Sequence, residues 1–318
     1  MLKMSTDPMR HALNGATMGT RWSALFYADV DPAPVQAALQ AAVGAVDAQM
    51  STWTPDSALM RLNAAPVGEW VALPAPMLEV IAMGLEVGRA SEGAFDICMG
   101  DVVTAWGFGP DRADAAQIRA SLAVSRDPAG AALELDRAAG YVCKHAAVTL
   151  DLNGIAKGYG VDCLTDTLAE FGISAGLLGI DGEMRALGLR PNGTPWTIAV
   201  EAPDREQRAP FSVLALENAA VATSGDYRHW VEVQGRHLSH TMDPRRGAPL
   251  MTSPASVTVV ARNCALADAW ATALMVLGAQ GGTILAQEQG LDALFLVRDE
   301  PAGLRGIPVG SLFAGKEE

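Results

Sequence analysis

Apolar and polar positions recur with two periods along this chain, and the switches between them mark the predicted elements. Residues 21–27 alternate as a short strand. After a turn at 31–34, Leu39, Val43 and Val46 recur at helical spacing as far as Met50. The loop 51–56 follows, and Asp56 or Ser57 is expected to cap a short helix over 58–63. Another helix is expected over 75–92, with Met77, Leu78, Ile81, Leu85 and Val87 apolar and Gly93 closing it. Residues 107–147 are rich in Ala, Asp and Arg with weak periodicity, which reads as a surface helix and hairpin.

From residue 147 the pattern sharpens. A strand is expected over 148–152, then a glycine-bearing turn at Asn153 and Gly154, then a helix to about Phe171 stopped by Gly172. Strands are expected at 175–180, 184–189, 196–200, 212–216, 219–223, 229–233 and 256–260. A last helix is expected over 264–277, with Asn263 as cap and Gly278 as stop. Many strands joined by short turns favour an α+β architecture with mixed or antiparallel sheets and packed helices.

Composition and charge narrow the function. Half of the 318 residues are hydrophobic and 19% are charged, enough to bury a large core and too apolar for disorder. At this length the prior is two lobes or one large α/β domain. The 23 basic against 36 acidic residues give a formal charge of −13. Such a chain lacks the clustered cations that nucleic acid demands, and Arg245 and Arg246 are its only adjacent basic pair. The most apolar stretches, near 269–278 and 174–180, are short of the roughly 18–20 residues of a membrane span. Residues 1–19 lack the apolar core of a secretory signal, so the chain as sequenced is expected to be cytoplasmic. Cys98, Cys143, Cys163 and Cys264 show no metal-ligand spacing and suit a reducing compartment.

Four stretches are candidates for chemistry. On the helix NCALADAWATALMVLG, Asp268 and Thr272 sit one turn apart on one face, a carboxylate and a hydroxyl suited to Mg²⁺. Against this, Asp268 would be solvated and Thr272 would bond back to its carbonyl; Asp268 lies too deep behind Asn263 to cap, and an unpaired buried carboxylate is costly. The turn DLNGIAKGYG places Lys157 in a first helical turn, an anion site of the kind that holds a pyrophosphate, although such a turn is also common packing grammar. Among His229, His237 and His240 the spacings 8 and 3 do not put three ligands on one strand face, so zinc is disfavoured. His240, before the turn MDPRRG, reads either as a proton acceptor or as a strand-end histidine bonding a carbonyl. Asp181 and Glu183, in GIDGEMRALG, read as a hairpin tip more readily than as an acid/base pair.

Taken in order, the blocks ATMGTRW, MSTWTPDSALMRLN, EGAFDICMGDVVTAWGFG, LDLNGIAKGYGVD, VATSGDYRHW, LSHTMDPRRGAP and SVTVVARNCALADAWATALMVLG resemble the ApbE-type FAD:protein FMN transferase family. They run from Ala16 to Gly278, so one such domain is expected over 16–300, between an extension at 1–15 and a tail at 301–318. The resemblance implies a T-fold-like α+β protein with two lobes around a flavin cleft. It implies Mg²⁺-dependent cleavage of FAD, with FMN moved onto a Thr or Ser hydroxyl of a target flavoprotein and AMP released. By position, Asp268 and Thr272 match the family's Mg²⁺ side chains, with backbone carbonyls of Gly154 and Ala271 as helpers. Met18, Trp53, Ala94, Phe95, Asp96, Asp151, Lys157 and Met242 fall where the family contacts FAD, and His240 matches the histidine tied to transfer; Asp268 is assigned to catalysis with it. Many family members are exported or lipid-anchored, whereas neither a signal nor a lipobox cysteine is evident here. One departure stands out: Asp181 replaces a glycine usual at the hairpin. An FAD pyrophosphatase without a protein acceptor and a non-catalytic FAD-binding protein are the alternatives.

Overall fold

The computed structural model describes residues 8–110, 112–124, 126–204, 209–227, 230–233, 236–251, 253–299 and 303–313, with backbone alone for 230–233 and 236–238. His229 therefore lies outside the described residues, and so does the side chain of His237.

Eight strands form one sheet whose spatial order is its chain order: β1 (Arg10–Thr17), β2 (Thr20–Tyr27), β3 (Gly176–Ile180), β4 (Glu183–Leu187), β5 (Ala220–Gly225), β6 (Ser256–Ala261), β7 (Asp292–Asp299) and β8 (Gly303–Val309). Every neighbouring pair is antiparallel. The four longest described helices are α1 (Pro32–Met50), α2 (Ala75–Ala90), α3 (Ala156–Glu170) and α4 (Cys264–Glu288). The protein is thus α+β with antiparallel sheets, as the strand-rich pattern predicts.

Alternation decides which face each strand buries. Trp22, Ala24 and Phe26 of β2 point into a cluster with Leu39 and Val43 of α1 and Leu164 and Leu168 of α3. Phe26 is fully buried, which contributes about 2 kcal/mol relative to an exposed ring. Val257, Val259 and Phe295 of β6 and β7 pack on the same side with α2 and α4. On the other face, Val221, Val260, Leu294 and Leu296 meet a separate hairpin, Trp196–Glu201 with Pro210–Leu216. The interior strand β6 is therefore buried on both sides, its Ser256 and Thr258 included.

Helices start where the caps were expected. Ser57 Oγ accepts from Met60 N, and Asn263 Oδ1 accepts from Leu266 N. Four expectations need correction. The boundaries at 16 and 300 cut through the sheet, because Arg10–Thr17 and Gly303–Val309 are its two edge strands. The segment 148–152 is not a strand: Leu150 pairs both ways with the Asn63 amide side chain, and Asp151 N bonds Ile97 O. At Gly278 the last helix breaks (φ 73°, ψ 178°), then resumes to Glu288. By length and composition α4 is long enough to cross a membrane, where the sequence shows no such stretch; Ala265, Ala269, Ala271, Leu274 and Met275 on it are fully buried in the core.

Candidate active site

A cleft of about 1100 Å³ opens at one end of the sheet. It is lined from the β1–β2 turn, the end of α1, the loop at Ala94 to Asp96, the first turn of α3, the β3–β4 tip, the hairpin residues Ile198 to Glu201, the segment around His240 and the inner face of α4. Met18, Trp53, Ala94, Phe95, Asp96, Asp151, Gly154, Lys157, His240, Met242, Asp268 and Thr272 all line it. Ala271 does not: it is fully buried inside α4, one position off the face that Asp268 and Thr272 present.

Local backbone chemistry sets these positions. The β1–β2 connection has two residues, and Met18 (φ 45°) and Gly19 (φ 70°) are both left-handed, as the twist of a two-residue hairpin requires. Holding Met18 there costs on the order of 1 kcal/mol. Its methyl group reaches α3, where a Cβ added to Gly160 would lie 3.2 Å from Met18 Cε. Asp181, at the β3–β4 tip, is also left-handed (φ 53°), a conformation glycine adopts freely and aspartate tolerates. That explains why a glycine suits the position. The exposed Asp181 carboxylate faces the cleft near Lys157 and adds to the field that favours the lysine's charge.

The charged groups divide by what they bond. Asp96 gives both oxygens to backbone, Oδ1 accepting from Cys98 N at 2.7 Å and Oδ2 from Ala129 N at 3.1 Å. Asp151 closes a turn with Asn153, accepting from its backbone N at 2.7 Å and its side-chain amide at 3.0 Å. Burial pushes both carboxyls above the usual range, against those hydrogen bonds. Lys157 donates to Glu183 Oε1 at 2.7 Å. Burial opposes the lysine's charge, but Glu183 and then Asp268 outweigh it and hold its pKa above the ordinary lysine value. Glu183 is 3% exposed and its Oε2 has no hydrogen-bond partner.

Asp268 is the least exposed of the three carboxylates that bond only backbone or amide groups. It is 5% exposed, its Oδ2 accepts from Gly158 N at 3.2 Å, and no ion pair reaches it among the described residues. Burial, then the nearby Glu183, raises its pKa to about 7, with Lys157 opposing. Thr272 does not bond back to the Asp268 carbonyl; its hydroxyl lies 3.2 Å from Ser224 Oγ. A Cβ at Gly154 would come within 3.4 Å of Thr272 Oγ1, so the turn before α3 touches this face of α4. A carboxylate lacking a cation, a hydroxyl and an adjacent glycine backbone form a donor set of hard oxygens that fits Mg²⁺. No cluster of three His, Cys, Asp or Glu occurs among the described residues, so a softer nitrogen and sulfur set is not offered there.

The residues around the cleft carry eight carboxylates and one lysine among those described. An anionic ligand cannot be held by side-chain charge alone in such a place, which strengthens the case for a bound cation. His240 is half-buried and edge-on to Phe108, with ring centroids 6.4 Å apart. Sequence reasoning favoured a mere hairpin tip for Glu183 and passed over Ser224, Gly158 and Phe108. The signal for Glu183 was its i, i+2 relation to Arg185, which places two charges on one strand face.

A large antiparallel sheet packed by helices, with a cleft at one end that gathers hard oxygen donors, one lysine and a helix N-terminus, defines an α+β protein with a polar ligand site. Comparison with known proteins makes the class specific: residues 18–295 match the ApbE family model, and the chain belongs to the ApbE family. It is 35% identical to the FAD:protein FMN transferase of Vibrio cholerae over 91% of this chain and 87% of that one. With the Klebsiella pneumoniae FAD:protein FMN transferase it shares 33% over 90% and 84%. The solved flavin transferase ApbE from Vibrio cholerae superposes with a TM-score of 0.85 at 31% identity, covering 96% of this chain and 98% of that one. The Pseudomonas stutzeri flavinyl transferase ApbE, in its apo form, gives 0.85 at 34%, covering 98% of both.

Proposed function

We propose that this chain is a Mg²⁺-dependent FAD:protein FMN transferase that moves FMN from FAD onto a Thr or Ser hydroxyl of a target flavoprotein and releases AMP. The observation that carries the reading is Asp268, a buried carboxylate with no ion pair among the described residues, one turn from Thr272 in a cleft that Lys157 also lines. Asp268 and Thr272, with the backbone at Gly154, would hold the metal. When bound, Mg²⁺ neutralises charge on the phosphoanhydride as it breaks.

The chain's own groups supply the rest. Lys157 has three N–H donors and gives one to Glu183, leaving two for the pyrophosphate, and the first amides of α3 add a partial positive field. Trp53, 62% exposed at the rim, offers a ring face for flavin or adenine. His240 takes the proton from the acceptor hydroxyl. The acceptor oxygen then bonds to the phosphorus nearer the flavin, the bond from that phosphorus to the bridging oxygen breaks, and AMP leaves with the electron pair. Phosphoryl chemistry of this kind rests on positioning and charge neutralisation.

The test is incubation with FAD, Mg²⁺ and a candidate acceptor domain, read by flavin fluorescence on a denaturing gel and by AMP release. The reading expects both. AMP without a fluorescent band would assign an FAD pyrophosphatase, and intact FAD after long incubation would assign a binding protein.

A further inference from the structure

The two helices that meet under the cleft cap each other. Cys264 and Ala265 are fully buried at the start of α4, so their backbone N–H groups have no access to water and must find protein partners. Asn263 serves only Leu266 N. The other two donors go to Asp162 of α3, with Oδ1 2.8 Å from Cys264 N and Oδ2 2.9 Å from Ala265 N. The exchange is returned one turn along each helix, where Asp268 of α4 accepts from Gly158 N in the first turn of α3. Between them the backbones touch: a Cβ at Gly158 would lie 2.3 Å from Cys264 O. Arg185 of β4 donates to Asp162 Oδ1 at 2.7 Å, two residues along the strand from Glu183, which holds Lys157.

We propose that Asp162, fixed by Arg185, is a positioning residue that sets the Asp268 carboxylate for its ligand by clamping the start of α4 to the first turn of α3. The inference rests on the reading of Asp268 as a metal ligand. Asp162 touches neither the cleft nor any reacting atom. Its two backbone bonds fix the axial and rotational setting of α4, which leaves Asp268 Oδ2 on Gly158 N and Oδ1 without a protein donor among the described residues. An ordinary cap would be served by Asn263 alone. A carboxylate reaching from another helix and held by an arginine from a third element ties α3, α4 and β4 into one unit, and these elements carry Lys157, Asp268 and Glu183.

The experiment compares wild type with Asp162→Asn. The amide replaces one acceptor by a donor, so it faces either Ala265 N–H or both Cys264 N–H and Arg185 with like polarity. Two quantities are read on metal-free, FAD-free protein at a temperature where both variants remain folded: amide exchange at Gly158, and Mn²⁺ affinity by electron paramagnetic resonance. The proposal expects Gly158 to exchange at least about tenfold faster and Mn²⁺ to bind about tenfold more weakly, as for residues that orient a metal ligand, with the Kd for FAD alone changed less than about twofold. Unchanged exchange and unchanged Mn²⁺ affinity in folded Asp162→Asn would overturn it, as would equal losses for Mn²⁺ and FAD. Should Asp162→Asn not fold, Arg185→Gln leaves both backbone bonds in place, and the same two readings are expected to move in the same direction by a smaller factor; no movement overturns the proposal. If wild type binds no Mn²⁺, the metal assignment fails, and Gly158 exchange alone decides the clamp.

Discussion

The two sides of the cleft are built differently. On the inner side, charges sit on regular elements and are tied down there: Lys157 to Glu183, and Asp268 to the α3 backbone, with the Asp162–Arg185 pair behind them. On the outer side, the groups stand on turns and loops. Trp53 is largely exposed, Asp151 closes a local turn with Asn153, and His240 lies between the short strands Arg236–Ser239 and Met242–Asp243. The contrast follows from the chemistry proposed. Breaking a phosphoanhydride requires charges held in fixed geometry, whereas the acceptor side must admit a segment of another protein.

Substitutions on the two sides should therefore differ in kind. The largest effect is expected for Asp268→Ala, a loss of transfer on the order of 10³-fold at saturating FAD and Mg²⁺. Transfer within tenfold of wild type would remove Asp268 from the metal site. On the outer side, His240→Ala should lower transfer about 10²-fold while FAD binding, followed by flavin fluorescence, stays intact; a parallel loss of binding would place His240 on the ligand instead. Lys157→Met should weaken FAD by about 10- to 100-fold, the worth of a charge-assisted hydrogen bond. Trp53→Ala should change FAD affinity only about fivefold, as for one stacking contact, and titration calorimetry orders the two.

The inner side should also respond to pH. The folded-state pKa of Asp268, about 7, lies above the unfolded carboxylate value. The metal-free fold then binds more protons than the unfolded chain between roughly pH 4 and 7, so this group's contribution to stability falls as pH rises through that window. Metal needs the ionised carboxylate, so the Mg²⁺ concentration for half-maximal effect should rise about tenfold per unit as pH drops well below 7. Thermal melts with and without Mg²⁺ at pH 5.5 and 8 check the sign: metal should stabilise more at pH 8.

Much of this was legible in the sequence where a local rule operates. Leu39, Val43 and Val46 gave α1, Asn263 gave the start of α4, and the four-residue spacing of Asp268 and Thr272 gave the oxygen pair. What escaped was set by distant partners. Arg10–Thr17 is a partly exposed edge strand of small and polar residues, with little alternation to betray it. Segment 148–152 alternates like a strand, yet Asn63 satisfies its backbone from another helix, and no local pattern announces that. Glu183 looked like a hairpin tip because its partner Lys157 is 26 residues away.

A Mg²⁺ titration of acceptor labelling by the wild-type chain tests the central claim most directly. The chain carries a net charge of −13 and a cleft with eight carboxylates to one lysine among the described residues, so the positive field proposed for an anionic substrate is that of a cation at Asp268 and Thr272 together with Lys157 and the first amides of α3. The account predicts no fluorescent acceptor band in chelator, and a band that grows with Mg²⁺ to saturation with one AMP released per acceptor labelled. Full labelling in chelator would contradict it.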